Sequence, residues 1–211
     1  VNSYQAALYG MYKAGSYYLN GIAAYAFNEH RTTRDIAFDT VARSASANYD
    51  GQIISGYIEG GYKITTPYVD IIPLAAIQVS HLTRNGFSED GAGTLDLTAD
   101  KETIASYIGS IGARITRTYR TKSGSVTPEF RIRWDHEFSN DGYILNASLA
   151  GNPGRAFQAV SDRPDTDSVA AGLGLAWQIT KNASAHMSYE GYFSKSATQH
   201  GGGMAGFRYE F

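Results

Sequence analysis

An all-β chain, folded as a transmembrane antiparallel up-and-down β-barrel, is what this sequence predicts, and three observations predict it. Apolar and polar residues alternate with period two over stretches of about a dozen residues, longer than the usual globular strand of about five or six. The connections between these stretches alternate strictly, short then long. No run approaches the roughly 18 consecutive apolar residues that a membrane helix requires, so any crossing must be made by strands, whose apolar content alternation dilutes.

Composition agrees. The chain has 211 residues with 18% charged, 23 glycines, 16 tyrosines, net charge −2 and no cysteine. Its length suits one substantial domain, 1–211, and does not force two. A charge near zero gives no footing for a nucleic-acid partner. Without cysteine there is no disulfide, thiolate metal site or thiol nucleophile, which suits a chain that must cross an oxidising compartment unfolded. The start, "VNSYQAALYG", lacks the basic region, apolar run and cleavage site of a signal peptide. Either a signal has been removed or a longer precursor lies upstream.

The clearest strand is "VTPEFRIRWDHEF". Val126, Pro128, Phe130, Ile132, Trp134, His136 and Phe138 fall on one side, and Thr127, Glu129, Arg131, Arg133, Asp135 and Glu137 on the other. That stretch covers the roughly 9–11 residues of a tilted bilayer crossing. "SVAAGLGLAWQIT" places Val169, Leu173, Leu175, Trp177 and Ile179 outward. "NASAHMSYEGYF" does the same with Met187, Tyr189 and Phe193, and "SYYLNGIAAYAFN" with Tyr17, Leu19, Ala23, Tyr25 and Phe27. Weaker strands lie near 3–13, 51–63, 67–82 and 102–119, and a terminal one near 201–211. Pro73 predicts a bulge or kink where it falls. The total is about nine strands.

Connections near 14–16, 64–66, 121–125 and 181–182 are short; those near 29–50, 84–101, 139–167 and 196–200 are longer. Short periplasmic turns and long extracellular loops sort in this way, whereas a soluble sandwich has no reason to segregate its loops by end. Tyr17, Tyr62, Tyr68, Trp177 and Phe211 fall near one set of strand ends, and Tyr25, Phe27, Trp134 and Phe193 near the other, as interfacial aromatic belts require.

The C-terminus "GMAGFRYEF" carries aromatics at its last, third-last and fifth-last positions, Phe211, Tyr209 and Phe207. It resembles the assembly signal of Gram-negative outer-membrane barrels. Together with "YYLNGIAAYAFNEHRTTR", "SGYIEGGYKITTPYVDIIPLAAIQVSHLTRNGFSEDGAGTLDL", "IGARI…PEFRIRWDHEF" and "GLGLAWQITKNASAHMSYEGYF…GFRYEF", it makes the chain resemble the C-terminal translocator domain of autotransporters, the type V secretion family. The resemblance implies a twelve-stranded barrel in the outer membrane with a helix threading its pore. It also implies an N-terminal passenger delivered to the cell surface, and the Bam machinery, membrane lipid and lipopolysaccharide as partners. With about nine strands and no helix, the chain is expected to lack the helix and the first strands of that barrel, which leaves two open edges.

In this register the inward, lumen-facing polar residues are Glu59, Lys63, Asp70, Arg114, Glu129, Arg131, Arg133, Asp135, Glu137, Glu190 and Arg208. Opposite charges alternate along 126–138, so neighbours can pair. They brace and hydrate the barrel or ease a polypeptide through it, and one water-filled bore serves both. Some members of the family cut their passenger inside the barrel with acidic residues; Glu129, Asp135 or Glu190 has the chemistry to assist such a step, but no catalytic residue is assigned. The five histidines have no metal-ligand spacing, "SEDGAGTLDL" lacks the acid spacing of a calcium loop, and the glycine clusters precede no helix, so no metal or cofactor is expected. The main expectation is therefore a passive translocator, not an enzyme. A small porin or structural barrel is the first alternative and a barrel enzyme the more remote, since no serine-centred motif appears.

Overall fold

The computed structural model describes residues 1–122, 124–139, 142, 144–161, 165–195 and 200–210. Its main sheet is a single layer with nine strands in its path: β1 (Asn2–Ala14), β2 (Tyr17–Phe38), β3 (Val41–Tyr62), β4 (Asp70–Arg84), β5 (Glu102–Thr116), β6 (Gly124–Glu137), β7 (Asp167–Gln178), β8 (Ala183–Ser194) and β9 (His200–Tyr209). Each strand is antiparallel to the next in chain order, the arrangement of an up-and-down meander curled into part of a barrel. Among the described residues no ladder joins β1 to β9, so the sheet is open at both edges.

The pairing register carries the alternation from strand to strand. One row runs Asn20, Glu59, Ala76, Ser110, Asp135, Ser168 and Ser194; the adjacent row runs Leu19, Gly60, Ala75, Ile111, Trp134, Val169 and Phe193. Neighbouring rows point to opposite faces of a pleated sheet. The second row and its parity mates are exposed although apolar: Leu173 is 66% and Ile132 46% accessible, while Glu59 and Asp135 on the other face are 5% and 8%. A soluble domain has the reverse distribution. The polar face is not uniformly polar, for Ile72, Leu74 and Ala76 are buried on it beside Glu59.

Close approach of ring and backbone fixes two glycines on this face. A Cβ on Gly61 would stand 2.3 Å from the Tyr18 ring, and one on Gly112 2.4 Å from the carbonyl of Ile132. The first glycine lets a tyrosine lie flat on the wall, and the second lets two strands meet where Arg133 crosses.

Three expectations need correction. The region 29–50, read as a loop, is a continuation of β2 and β3, which pair without interruption from Tyr17↔Tyr62 to Phe38↔Val41. The outer face of this hairpin changes character above Phe27, to Glu29, Arg31, Thr33 and Asp35. On the other face only small residues, Ala45 and Ala47, are buried, so the large apolar side chains that mark a half-buried strand are missing although β-branched residues remain. Likewise the segments 84–101 and 139–167 are not irregular throughout. They contribute Phe87–Ser88, Leu97–Ala99, Ile144–Leu149 and Asn152–Val160 to a second, four-stranded sheet. Finally, Pro73 makes no bulge: its pairing with Ala113 is in unbroken register. It lies between the two ladders on its other side, Gly61↔Leu74 and Ile64↔Ile71, where the missing N–H costs no sheet bond.

Candidate functional site: the polar face of the wall

Strands β2 to β8 set the polar side chains at matching heights, and most of them bond to one another. Glu59 accepts from two phenols, Tyr18 at 2.8 Å and Tyr57 at 2.6 Å, one on each carboxylate oxygen. Arg133 forks onto Asp135 through Nε at 2.6 Å and Nη2 at 3.0 Å. Glu129 receives Arg131 at 3.4 Å on its own strand and Arg114 at 3.9 Å from β5. The Arg114 guanidinium also lies 5.4 Å from the centre of the Tyr18 ring, within cation–π range. Glu190 accepts from the Tyr192 hydroxyl at 2.7 Å. Residues two apart on a strand share a face, which explains how the pairs 57/59, 129/131, 133/135 and 190/192 are made.

The remaining predicted positions lie apart from this girdle. Lys63 pairs with Asp70 at 2.8 Å across the short connection between β3 and β4. Glu137 accepts the Tyr107 amide at 2.9 Å and the Ser139 amide at 3.0 Å near the opposite end of β6. Arg208 pairs with Glu210 at 2.7 Å at an exposed strand end. Phe207 and Tyr209 stand exposed on the apolar face opposite Ala185 and Ala183, and Phe211 lies outside the described residues. The tyrosines Tyr18, Tyr57 and Tyr192 were not singled out from sequence; the two-residue spacing in "YIE" and "EGY" is the signal that finds two of them.

Each of Glu59, Glu129, Asp135 and Glu190 is held by a phenol or guanidinium. Among the described residues no three His, Asp or Glu side chains come together to hold a metal ion. On the apolar face, His136 sits near the end of β6, with Nδ1 2.9 Å from Asp167 Oδ1, which also accepts the Trp134 indole N–H at 3.1 Å.

Beyond the apolar band, the β2–β3 hairpin is tied to the second sheet. Ser46 and Asp90 exchange amide–carbonyl bonds at 2.9 Å. Arg34 reaches the Glu89 carboxylate and the Leu95 carbonyl, the latter at 2.9 Å. The hydrogen bond from Arg34 holds the Glu89 carboxyl below its ordinary value, helped by the Leu97 amide and opposed by burial. A depressed carboxyl stabilises the folded form at pH above its unfolded value, about 4.3, and that contribution is lost as pH falls through the lowered value. As pH falls through that lowered value the Leu97 amide should therefore lose exchange protection as Glu89 protonates, while Glu89→Gln should lack this acid step; identical pH profiles would refute the coupling.

A one-layer antiparallel wall, apolar where it is exposed and ion-paired where it is covered, defines the class of outer-membrane barrels. Residues 1–190 match the family model of the autotransporter β-domain, and the chain belongs to that family. It is 24% identical over 197 residues to the extracellular serine protease of Serratia marcescens, covering 92% of this chain and 18% of that protein. It is 27% identical over 153 residues to outer membrane protein A of Rickettsia rickettsii, covering 69% of this chain and 7% of the other. The chain thus spans less than a fifth of these relatives. Among solved structures, the translocator domain of autotransporter NalP from Neisseria meningitidis shares the fold, with a TM-score of 0.69 at 18% identity over 99% of this chain and 66% of that one.

Proposed function

We propose that this chain forms most of the wall of an outer-membrane barrel that anchors an N-terminal passenger and lets it reach the cell surface through a polar lumen. The observation that supports the reading is the segregation of faces: Leu19, Ile111, Trp134, Val169 and Phe193 lie on the exposed apolar face, while Glu59, Arg114, Glu129, Arg131, Arg133, Asp135 and Glu190 lie on the opposite one. Further strands preceding β1 complete the ring, because an open edge leaves backbone groups unpaired in hydrocarbon. Phe207, Tyr209 and Phe211 serve the Bam machinery as an assembly signal. Lipid and lipopolysaccharide surround the apolar band, and the barrel turns nothing over.

The test is surface display. In the full-length protein, external protease added to intact cells should digest the passenger while leaving a heat-modifiable barrel in the membrane. A passenger that stays inside the cell behind a correctly inserted barrel would overturn translocation and favour a porin. Robust hydrolysis of peptides or phospholipids by the folded barrel would favour an enzyme.

A further inference from the structure

The β2–β3 hairpin continues past the apolar band with one edge capped and the other free. On the β3 side, Ser46 is engaged by Asp90. On the β2 side, β1 pairs only as far as Asn2↔Glu29, and from His30 to Phe38 no strand among the described residues lies alongside. In an antiparallel ladder alternate residues turn their N–H and C=O to opposite edges. Ser46 and Asp50 direct theirs away from β2, toward Asp90 and Asn85. The odd-numbered residues of β3 therefore bond to the even-numbered residues of β2 across this hairpin. Arg31, Thr33, Asp35 and Ala37 consequently present their amides and carbonyls to the free edge. No proline or bulge blunts it, since the register with β3 is continuous. An unblocked edge of this kind accepts an added strand.

Chain direction selects the occupant. β1 runs antiparallel to β2, with Asn2 opposite Glu29 and Ser3 opposite Asn28. Extended upstream in the same register, Val1 comes opposite His30 and the residues before it come opposite Arg31 onward, up to Phe38. We infer that the polypeptide immediately preceding Val1 lengthens β1 along the edge from Arg31 to Phe38, forming a three-stranded fin outside the membrane. This inference rests on the reading that further strands of the barrel precede β1. The fin gives the chain entering β1 backbone partners along β2 whatever its side chains.

A cysteine pair tests it in the full-length protein. The second residue before Val1 falls opposite Thr32, a site whose backbone groups turn toward β3, so the two side chains face each other at the closer, non-hydrogen-bonded spacing. Cysteines at these two positions should oxidise to a disulfide in high yield. Adding Thr33→Pro, which removes a donor only from the free edge, should lower that yield at least tenfold while heat-modifiability of the barrel persists. Surface display of the passenger without the disulfide would overturn the inference and leave the proposed function standing. A disulfide from Thr32→Cys to a distant passenger position or to a second copy would overturn the assigned occupant. Equal yield with and without Thr33→Pro would overturn strand addition. Failure of display and disulfide together would overturn both readings.

Discussion

Leu173→Arg should strongly destabilise the folded membrane form. Leu173 stands at the middle of β7, opposite Phe130 on β6 and Tyr189 on β8, in the exposed apolar set. A cationic side chain at the lipid-facing midplane of such a barrel costs about 2–4 kcal/mol, a large fraction of the stability of any domain. Ser188→Lys is the matched control. Ser188 pairs with Gly174 and Met204 in a row of the opposite parity, which includes Glu129, so its new amine meets water and carboxylate. The control should change stability by no more than about 0.5 kcal/mol. Urea unfolding in lipid vesicles, read by loss of heat-modifiable migration, separates the two. Equal effects of both substitutions would mean that the faces have been assigned the wrong way round.

The second large effect is expected from Asp135→Ala. Arg133 and Asp135 form a two-pronged pair with little exposure, and the alanine leaves the guanidinium on a covered face without its partner. Breaking a buried pair from one side costs about 3–5 kcal/mol; water on the polar face should bring the loss toward about 3 kcal/mol. Arg133→Met combined with Asp135→Leu removes both charges, and its loss should be well below that of Asp135→Ala alone. The same vesicle unfolding measures it. If the double substitution is worse than the single one, the pair contributes attraction and not merely mutual neutralisation.

The wall was legible in the sequence where lipid meets one face and water the other. Strand β6 is the example: Phe130, Ile132 and Trp134 against Glu129, Arg131 and Arg133 leave one register and one orientation. β7 and β8 were read for the same reason. The hairpin beyond Phe27 escaped because that contrast ends there; Arg31, Thr33, Asp35, Asn48 and Ser46 are all polar although the ladder continues. The charged girdle was found by parity alone. Its tyrosines were harder to see, because Tyr25 and Tyr189 on the other face are the same residue type. A phenol suits both an interfacial belt and a carboxylate, and only its position in the register distinguishes the two roles.

Among the described residues, no large side chain is completely enclosed, and the most deeply buried apolar residues are mainly alanines. In water the chain therefore has no oily kernel to condense around. Its bonds are between neighbouring strands, and its apolar side chains find their proper surroundings only when acyl chains supply them. Before insertion, the polypeptide has little reason to commit to a compact shape. It can travel to the membrane extended, and acquires its form and its environment in the same event.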